Sequence, residues 1–392
     1  MKGSKNNYEV IIAGAGPAGS SLAIHLVKHR VNVLLVEQKK FPRAKLCGEF
    51  ISPECRNHFR LLGIDEALTS SKPATLNKTV FYAASGRQIG VPSHWLGGNN
   101  RALGLSRAEL DQQLLFRAKA LGVEVIEEAA VSDVLLTRNQ VSGVSLRLGN
   151  QTIAKNAPLV IDATGRARAL VRRLRTEGAQ SFKPMKPRLV AFKAHLRNAQ
   201  PASETCEIYS YRGGYGGLSQ IENGLSNLCF IASAKDVRRC HSDPEAVVRK
   251  IVSKNRRAAY TLAGAAVCTE WLSVSLDGFG CSNAVPFSGL LAVGDAAGFI
   301  DPFTGSGMLM AFETAELAAA AILPNLLSLQ QSGDFNALAK AYQASYESRF
   351  RSRLRMAGLL RRAAFVPFAA EVTITILGAS EKLTRRAASA TR

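Results

Sequence analysis

Cysteine patterns typical of metal-binding and disulfide-rich proteins are missing from this chain. The seven cysteines are an odd number and include no C-x-x-C pair, which argues against a disulfide framework or a structural zinc site. A His-Glu-x-x-His helix and a Ser/His/Asp nucleophile motif are also missing, and the six histidines are scattered. Hydrolase and metalloenzyme functions are therefore disfavoured, no metal is expected, and the cysteine usage suits a reducing cytoplasm.

Long apolar runs are missing as well. We find no stretch of 18 uncharged apolar residues and therefore expect no transmembrane helix. Residues 1–7 are polar, so no secretory signal is expected before the first strand. These features predict a cytoplasmic location.

Acidic residues are scarce, with 30 Asp and Glu against 50 Lys and Arg, which gives a net charge of +20. Such a balance suits nucleic acid, an anionic membrane surface or acidic substrates. Because zinc-finger, RNP-like and helix-turn-helix signatures are missing, we expect no nucleic-acid partner. The length of 392 residues and the 47% hydrophobic content allow two cores or one large interleaved core.

The most informative stretch is YEVIIAGAGPAGSSLAIHLVKHRVNVLLVE, residues 8–37, which predicts a strand, a glycine loop, a helix and a second strand. Gly14 permits a tight turn, Gly16 lets a pyrophosphate approach the backbone, and Gly19 lets the helix pack on the strand. Glu37 ends the second strand, where a carboxylate can accept hydrogen bonds from a ribose. The stretch therefore predicts a dinucleotide site at a helix N-terminus, without fixing which dinucleotide binds.

Two other patterns predict a second, antiparallel sheet. Residues 79–92 resemble a hairpin that turns at Ser85 and Gly86, and residues 188–282 have a period of two with a hairpin turn at 222–224. One helix, begun by Asp243 and Pro244, is predicted to continue to about residue 264. Residues 123–148 alternate as strands, and the strand that ends at Asp162 is again a buried strand of the parallel type.

Residues 39–53, KKFPRAKLCGEFISP, are expected to run back toward the cofactor. Ser52 and Pro53 predict the N-terminus of a helix. The alternative is an ordinary connecting loop with a buried thiol at Cys47. A later helix begins at Ser106, and Arg107 in its first turn is either solvated or held there to meet an anion.

Together, these motifs resemble the flavoprotein superfamily that includes p-hydroxybenzoate hydroxylase, geranylgeranyl reductases and flavin-dependent halogenases. The resemblance rests on the glycine loop with Glu37, on Arg107-x-x-Leu110-Asp111 and on a late Gly294-Asp295 pair. It implies FAD as the tightly held dinucleotide, together with NAD(P)H or another external reductant. The implied α/β fold is a Rossmann-like FAD-binding domain of glutathione-reductase type, interleaved with a mostly antiparallel β-sheet substrate domain, plus C-terminal helices.

The resemblance also implies domain limits and cofactor contacts. Residues 1–75, 100–170 and 284–330 would form the FAD-binding domain, 76–99 and 171–283 the substrate-binding domain, and 331–392 a C-terminal helical region. Asp295 would hold the ribityl and pyrophosphate region, Arg107 would face the flavin, and Val131 would touch adenine. Gly307 and Met308 would present main-chain N–H groups to the ring, where a helix N-terminus stabilises negative charge. The full implied set is Gly14, Gly16, Ala18, Gly19, Glu37, Gly48, Arg107, Val131, Asp295, Gly307 and Met308.

Within the superfamily, Lys45-x-Cys47-Gly48-Glu49 resembles the geranylgeranyl reductase branch, and the halogenase Trp-x-Trp-x-Ile-Pro signature is missing. A Pro-x-x-Tyr-x-Trp-x-Phe-Pro strand of that branch has its counterpart at 212–218. This strand keeps Tyr215 and has Gly217 where the Trp would stand, which predicts room for an aromatic or polyketide ring. Lys45, Cys47 and Tyr215 are the candidate catalytic residues.

Several functions stay open. The first is FAD-dependent reduction of a double bond in an apolar or aromatic small molecule that is prenyl, lipid or polyketide-like. The second is flavin-dependent hydroxylation of an aromatic or polyketide substrate. An electron carrier and a flavin-dependent halogenase are further alternatives.

The C-terminal region is predicted to be helical and basic. Its run SRFRSRLRMAGLLRR precedes an apolar segment in which Pro367 should end or kink a helix. Four arginines at 349, 351, 353 and 355 alternate at period two, which favours a solvated helix face. The alternatives are peripheral contact with anionic lipid, a cap on the substrate cavity, or an acidic carrier protein as partner. The lipid alternative predicts weak, salt-sensitive vesicle binding that is lost on truncation after Asp334.

Overall fold

The computed structural model describes residues 6–175, 188–276, 279–281 and 283–392. Its strands, in chain order, are β1 (Val10–Ala13), β2 (Val33–Val36), β3 (Phe50–Ile51), β4 (Ala74–Leu76), β5 (Lys78–Tyr82), β6 (Gln88–Pro92), β7 (Ala102–Gly104), β8 (Glu124–Ile126), β9 (Ala129–Thr137), β10 (Gln140–Leu148), β11 (Gln151–Asn156), β12 (Leu159–Asp162), β13 (Leu189–Arg197), β14 (Thr205–Tyr211), β15 (Gly214–Gln220), β16 (Ser226–Ser233), β17 (Ala266–Val267), β18 (Leu272–Leu276), β19 (Gly280–Cys281), β20 (Leu290–Ala292) and β21 (Gly298–Phe299).

The helices, in chain order, are α1 (Pro17–Lys28), α2 (Cys55–Leu62), α3 (Asp65–Ser70), α4 (His94–Gly97), α5 (Arg107–Ala120), α6 (Ala169–Arg175), α7 (Ala234–Arg239), α8 (Pro244–Lys250), α9 (Arg256–Leu262), α10 (Gly307–Ser332), α11 (Asn336–Ala364), α12 (Pro367–Gly378) and α13 (Glu381–Ser389).

A parallel sheet in the order β20-β12-β1-β2-β8 forms the centre of the molecule. In β1, Val10 and Ile12 pack in the cluster that contains α1 and α10, whereas Ile11 and Ala13 pack in the cluster that contains β9 and β10. Both faces of the sheet are therefore covered, which explains why its strands read as continuous apolar runs. The predicted α/β fold with a Rossmann-like unit is confirmed.

A second sheet has the order β17-β13-β16-β15-β14-β5-β6, with β18 also paired to β13. The pairs are antiparallel except for β14 with β5. The predicted hairpins are present: Gly86 in the first turn has φ +94°, and Asn223 in the second has φ 61°. Both positions need the left-handed conformation that Gly and Asn adopt most readily.

The helix predicted near Pro53 is present, but its predicted cap residues and the predicted continuity of a later helix were wrong. The helix expected at Ser52 and Pro53 begins at Cys55, because the chain leaves β3 through a turn in which Cys55 N–H donates to the Ser52 carbonyl at 3.0 Å. The single helix expected from 244 to 264 is broken between α8 and α9. Asn255 lies at the break, where its side-chain oxygen caps α9 and its amide donates to Tyr82 O, Ala83 O and Ser210 O.

The C-terminal helices belong to the main body of the protein. Leu338, Tyr342 and Phe350 of α11 are fully buried in the same core cluster as α1 and α10. As predicted, the helix ends before Pro367, which begins α12. α10 is long and apolar enough to cross a membrane by composition, but most of it is buried in this core, as in a central helix of a globular protein.

Candidate functional site

A cavity of about 800 Å³ begins at the glycine loop after β1 and continues to the second sheet and to α12 and α13. The predicted site residues that line it are Gly14, Gly16, Ala18, Glu37, Lys45, Cys47, Gly48, Arg107, Val131, Tyr215, Asp295, Gly307 and Met308. Gly19 is the exception, because it is buried where α1 packs on β1. The cavity thus joins residues that are far apart in the chain, at the carboxyl edge of the parallel sheet.

The three glycines differ in what a side chain would meet. A Cβ on Gly19 would lie 1.9 Å from the carbonyl oxygen of Gly14, and a Cβ on Gly14 would lie 2.4 Å from the carbonyl oxygen of Ala163. Both positions therefore exclude side chains by packing. Around Gly16 the nearest atoms are guanidinium nitrogens of Arg107 and Arg43, at 3.7 and 3.9 Å. Its open side faces cations, as a phosphate-binding backbone should.

Glu37 lies at the carboxyl end of β2, beside the glycine loop. Its carboxylate accepts hydrogen bonds from Ala15 N–H at 2.9 Å and Lys39 N–H at 3.0 Å, and Arg43 lies 3.4 Å away. The side chain is therefore held in one orientation on the cavity wall. A carboxylate in this position can accept hydrogen bonds from ribose hydroxyls.

Arg107 in the first turn of α5 is held in place rather than solvated. Its Nε and Nη2 donate to the buried carboxylate of Asp111 at 2.8 and 2.7 Å. Burial alone would lower the pKa of Arg107, but the Asp111 carboxylate raises it above the usual value. The predicted N-cap is present, since Glu109 N–H donates to the Ser106 hydroxyl at 3.2 Å. A fixed cation therefore faces the cavity near Gly16.

Opposite charges gather around Asp295. Burial raises the pKa of Asp295, and the cations Arg166, Arg107 and Lys45 oppose that rise. Lys45 is exposed toward the cavity but surrounded by enough protein to be partly desolvated. That burial, with repulsion from Arg107, Arg43 and Arg166, lowers its pKa. At this end of the cavity the nearby arginines and Lys45 still outnumber the carboxylates once Asp111 and Glu37 are counted with Asp295, which suits an anionic ligand.

The N-terminus of α10 opens onto the same space. Gly307 and Met308 line the cavity at the start of a helix of 26 residues. The first N–H groups of a helix have no partner within it, and the helix dipole places partial positive charge there. This end of α10 can therefore stabilise negative charge on a bound ring.

The loop that carries Cys47 is fixed by a buried ionic cluster that the sequence did not predict. Glu49 is fully buried, and its carboxylate oxygens lie 2.5 Å from Lys193 Nζ and 2.7 Å from His195 Nε2. Asn227 Nδ2 donates to the Cys47 carbonyl at 3.1 Å. Burial opposes ionisation of Glu49, but His195 and Lys193 lower its pKa. Lys193 and His195 are two residues apart on β13 and therefore lie on the same face of the sheet. Two basic residues on one face of an apolar strand were the feature of the sequence that could have predicted a buried acidic partner.

Tyr215 takes part in a second cluster. Its hydroxyl donates to Asp301 Oδ1 at 2.7 Å, and Arg361 Nε lies 2.8 Å from Asp301 Oδ2. Phe303, next to Asp301 in the loop before α10, packs edge-on against the Tyr215 ring. Tyr215 therefore ties β15 to this loop and to α11, and burial raises its pKa well above the usual value. Its hydroxyl proton is committed to Asp301, which does not favour the predicted catalytic role.

The far end of the cavity is apolar. Side chains from the second sheet and from α12 form its wall: Phe81, Ile89, Val91, Ile208, Leu218, Ala370, Ile374 and Leu377. The space expected at Gly217 is partly filled, because Ile208 Cδ1 lies 3.1 Å from the place where a Cβ on Gly217 would stand. The cavity thus combines a cationic end with a hydrophobic end, a composition that binds amphiphilic ligands.

These residues fit FAD. The open face of Gly16 and the nearby arginines suit a pyrophosphate, Glu37 suits a ribose, and the α10 N-terminus suits a ring that takes up negative charge. Val131 in β9 is nearly buried and lines the adenine end predicted from the resemblance. The individual roles of these residues stay predictions.

Comparison with known families gives a match over residues 7–325 to the FAD binding domain family. The chain is 28% identical over 325 residues to menaquinone reductase of Mycolicibacterium smegmatis, which covers 79% of this chain and 75% of that protein. It is 25% identical over 350 residues to the flavin-dependent halogenase armH5 of Armillaria mellea, covering 81% of this chain and 64% of that protein. Conditioned medium factor receptor 1 of Dictyostelium discoideum is 23% identical over 333 residues, covering 81% of this chain and 63% of that protein. The chain thus spans less than two thirds of the last two proteins.

Solved structures show the same fold. The flavin-dependent brominase Bmp2 superposes with a TM-score of 0.77 at 20% identity, covering 98% of this chain and 94% of that one. A geranylgeranyl bacteriochlorophyll reductase-like protein from Thermoplasma acidophilum superposes with a TM-score of 0.74 at 20% identity, covering 92% and 88%. At these identities the likeness concerns the fold alone.

Proposed function

Because this chain belongs to the FAD binding domain family, in the superfamily of p-hydroxybenzoate hydroxylase and geranylgeranyl reductases, we propose that it acts as an FAD-dependent oxidoreductase. Its reaction is reduction of a double bond in an apolar or aromatic small molecule that is prenyl, lipid or polyketide-like. NAD(P)H or another external reductant supplies the electrons. The proposal includes the division into an FAD-binding domain interleaved with a substrate domain, and a cytoplasmic location.

The observation that carries this proposal is the two-ended cavity. Its cationic end beside Gly16 and Arg107 suits the phosphates of FAD, and its apolar end beside Phe81 and Ile374 suits a hydrocarbon substrate. A single continuous space brings the substrate next to the cofactor, which reduction by direct transfer requires. The name of the menaquinone reductase relative agrees with an apolar substrate.

The chain's own residues supply positioning and protons. When bound, FAD supplies hydride transfer to the double bond. Arg107 and the α10 N-terminus stabilise negative charge, and side chains of α12 and α13 form part of the cavity wall. Lys45 and Cys47 lie on the loop fixed by Glu49, and the lowered pKa of Lys45 makes it a stronger acid than an ordinary lysine.

The direct test is product analysis with FAD-loaded protein and a reductant, in the absence and in the presence of oxygen. Candidate substrates are a geranylgeranyl lipid, a menaquinone and an aromatic polyketide. Reduction predicts a product that gains two hydrogen atoms per double bond and forms without oxygen. A product that gains an oxygen atom, and forms only with oxygen, would identify a monooxygenase and refute the proposal.

Cys47→Ala tests the loop in the same assay. We expect altered turnover or product distribution with unchanged folding and FAD content, because one small side chain is lost from the cavity wall. Cys268→Ala is the matched control, since that thiol is exposed and lies outside the cavity lining. A lower melting temperature with unchanged specific activity would show that Cys47 serves packing alone.

A further inference from the structure

α12 has two different apolar faces. Phe368, Val372 and Ile376 follow one another at four-residue spacing, and their exposed fractions are 78%, 39% and 56%. We call these three residues the outer stripe. The opposite face carries Ala370 and Ile374, which are buried and line the cavity. A surface helix normally presents polar residues outward, and none of the described residues covers the outer stripe.

Hydrogen bonds fix the helix so that the outer stripe stays exposed. Glu371 accepts a hydrogen bond from Ser85 N–H at 3.1 Å, and the Thr375 hydroxyl oxygen accepts one from the Arg87 guanidinium group. Both contacts tie the side of α12 to the hairpin between β5 and β6. The orientation of the helix is therefore determined by the fold, and the exposure of the outer stripe follows from it.

Exposed cations flank the outer stripe on both sides. Arg355 and Arg362 precede α12, and a cluster at 382, 385 and 386 follows in α13. In the stretch from 355 to 386 the acids are Glu371, which is bonded to Ser85, and Glu381. The outer stripe therefore lies on a helix whose two neighbours in the chain, α11 and α13, carry exposed cations.

The proposed function gives this surface a use, and the inference rests on it in that respect. The outer stripe and the cavity lie on opposite sides of the same helix. The inner side of α12 lines the apolar end of the cavity with Thr373, Ile374 and Leu377. An apolar substrate is held in a membrane rather than in water. A helix between the membrane and the cavity shortens the path of such a substrate.

We propose that the outer stripe docks on an anionic lipid bilayer, with the flanking cations on the headgroups and the three apolar side chains at the acyl boundary. Amphipathic helices with basic borders bind membranes in this manner. A second copy of this chain is the less suitable occupant, because a contact between two copies through α12 would bring their cationic regions together. An acidic protein would pair with the cations, but it would not explain why the outer stripe lies next to the apolar end of the cavity.

The core position of α11 changes the experiment that the sequence suggested. Truncation after Asp334 removes Leu338, Tyr342 and Phe350 from the core, so it would unfold the protein and test nothing about lipid. Point substitutions in the outer stripe avoid this problem, since the three side chains are exposed. The variant F368S/V372S/I376S is expected to keep its melting temperature and its FAD content.

The test is co-sedimentation of the full chain with vesicles of phosphatidylglycerol and phosphatidylcholine, and with vesicles of phosphatidylcholine alone. We expect binding to the anionic vesicles, weaker binding at high salt, and roughly tenfold weaker binding of the triple variant, because apolar contact and headgroup attraction act together. Leu327→Ser is the control, since Leu327 is 64% exposed on α10 outside this region.

Failure to bind anionic vesicles at low salt, or equal binding by the triple variant, would overturn the proposal. Concentration-dependent dimerisation that the triple variant abolishes would assign the stripe to a second copy and would also overturn it. Sedimentation does not depend on turnover, so a failure of the proposed reaction leaves this result interpretable.

Discussion

Glu49 is a buried charge whose neighbours keep it ionised. Burial works against the carboxylate, but His195 and Lys193 lower its pKa below the usual value. A carboxyl group with a lowered folded-state pKa adds stability above its unfolded pKa of about 4.3 and loses it as the pH falls. The ion pair therefore stabilises the Cys47 loop at neutral pH and fails in acid.

Lys193→Met is expected to destabilise the protein by about 3–5 kcal/mol at pH 7, because the buried Glu49 carboxylate loses the ammonium group that pairs with it. The effect should shrink below about pH 4, where Glu49 in the unfolded chain is protonated. Denaturant titrations at several pH values measure this, with Lys78→Met at an exposed position as the control. An effect that is constant with pH would contradict the assigned ionisation.

Tyr215 is better described as a positioning residue than as a proton donor. Tyr215→Phe removes the hydrogen bond to Asp301 and leaves a buried acceptor short of a donor, so we expect a loss of about 1–3 kcal/mol. FAD content should be retained, and turnover should fall only modestly. Urea titration and steady-state kinetics distinguish the two roles. A turnover loss above about a hundredfold with unchanged stability would indicate proton donation.

The sequence predicts that the basic run in α11 is solvated, but one of its arginines, Arg353, is buried. Arg353 is 1% exposed and its Nη1 lies 2.5 Å from Glu313 Oε2 of α10, whereas Arg351 is exposed and pairs with Glu347 one turn away. Period two on a helix sends alternate residues to different sides, so one side of the run meets α10. The buried side of α11 depends on a partner that no local pattern reveals.

Arg353→Ala should cost about 3–5 kcal/mol, because the Glu313 carboxylate loses its buried partner. Arg351→Ala, two residues away on the same helix, should change stability by less than about 1 kcal/mol. Thermal or urea unfolding of both variants measures the difference. Equal effects would show that α11 packs differently from the arrangement described.

Elements whose determinants are local were predictable. The glycine loop, Glu37, the two hairpin turns and the Ser106 cap each depend on residues adjacent in sequence. The break between α8 and α9 was missed because Asn255 bonds to carbonyls of β5 and β14, which propensity cannot show. The Glu49 cluster was missed for the same reason, since Lys193 is 144 residues away.

At the scale of the whole molecule, the excess positive charge is spread over several separate regions. Part of the +20 charge surrounds the cofactor end of the cavity and part borders α12, while Arg349 and Arg353 are paired with Glu313. Net charge alone therefore could not distinguish nucleic acid, lipid and phosphate as partners. The distinction comes from where the fold positions each cation.

The measurement that matters most is FAD affinity of purified Gly16→Val, with Asp295→Ala beside it and Gly90→Val as the control. A Cβ at Gly16 meets only the ends of Arg43 and Arg107, and the backbone there has an ordinary φ of −72°, so the fold should persist while a valine blocks the phosphate position. We expect at least about a tenfold loss of affinity, or 1.4 kcal/mol. A Cβ on Gly90 would meet no atom within 4 Å, so the Gly90→Val variant should bind FAD with the wild-type affinity. Full FAD occupancy of Gly16→Val and Asp295→Ala at the wild-type affinity would contradict the assignment of this cavity as the FAD site.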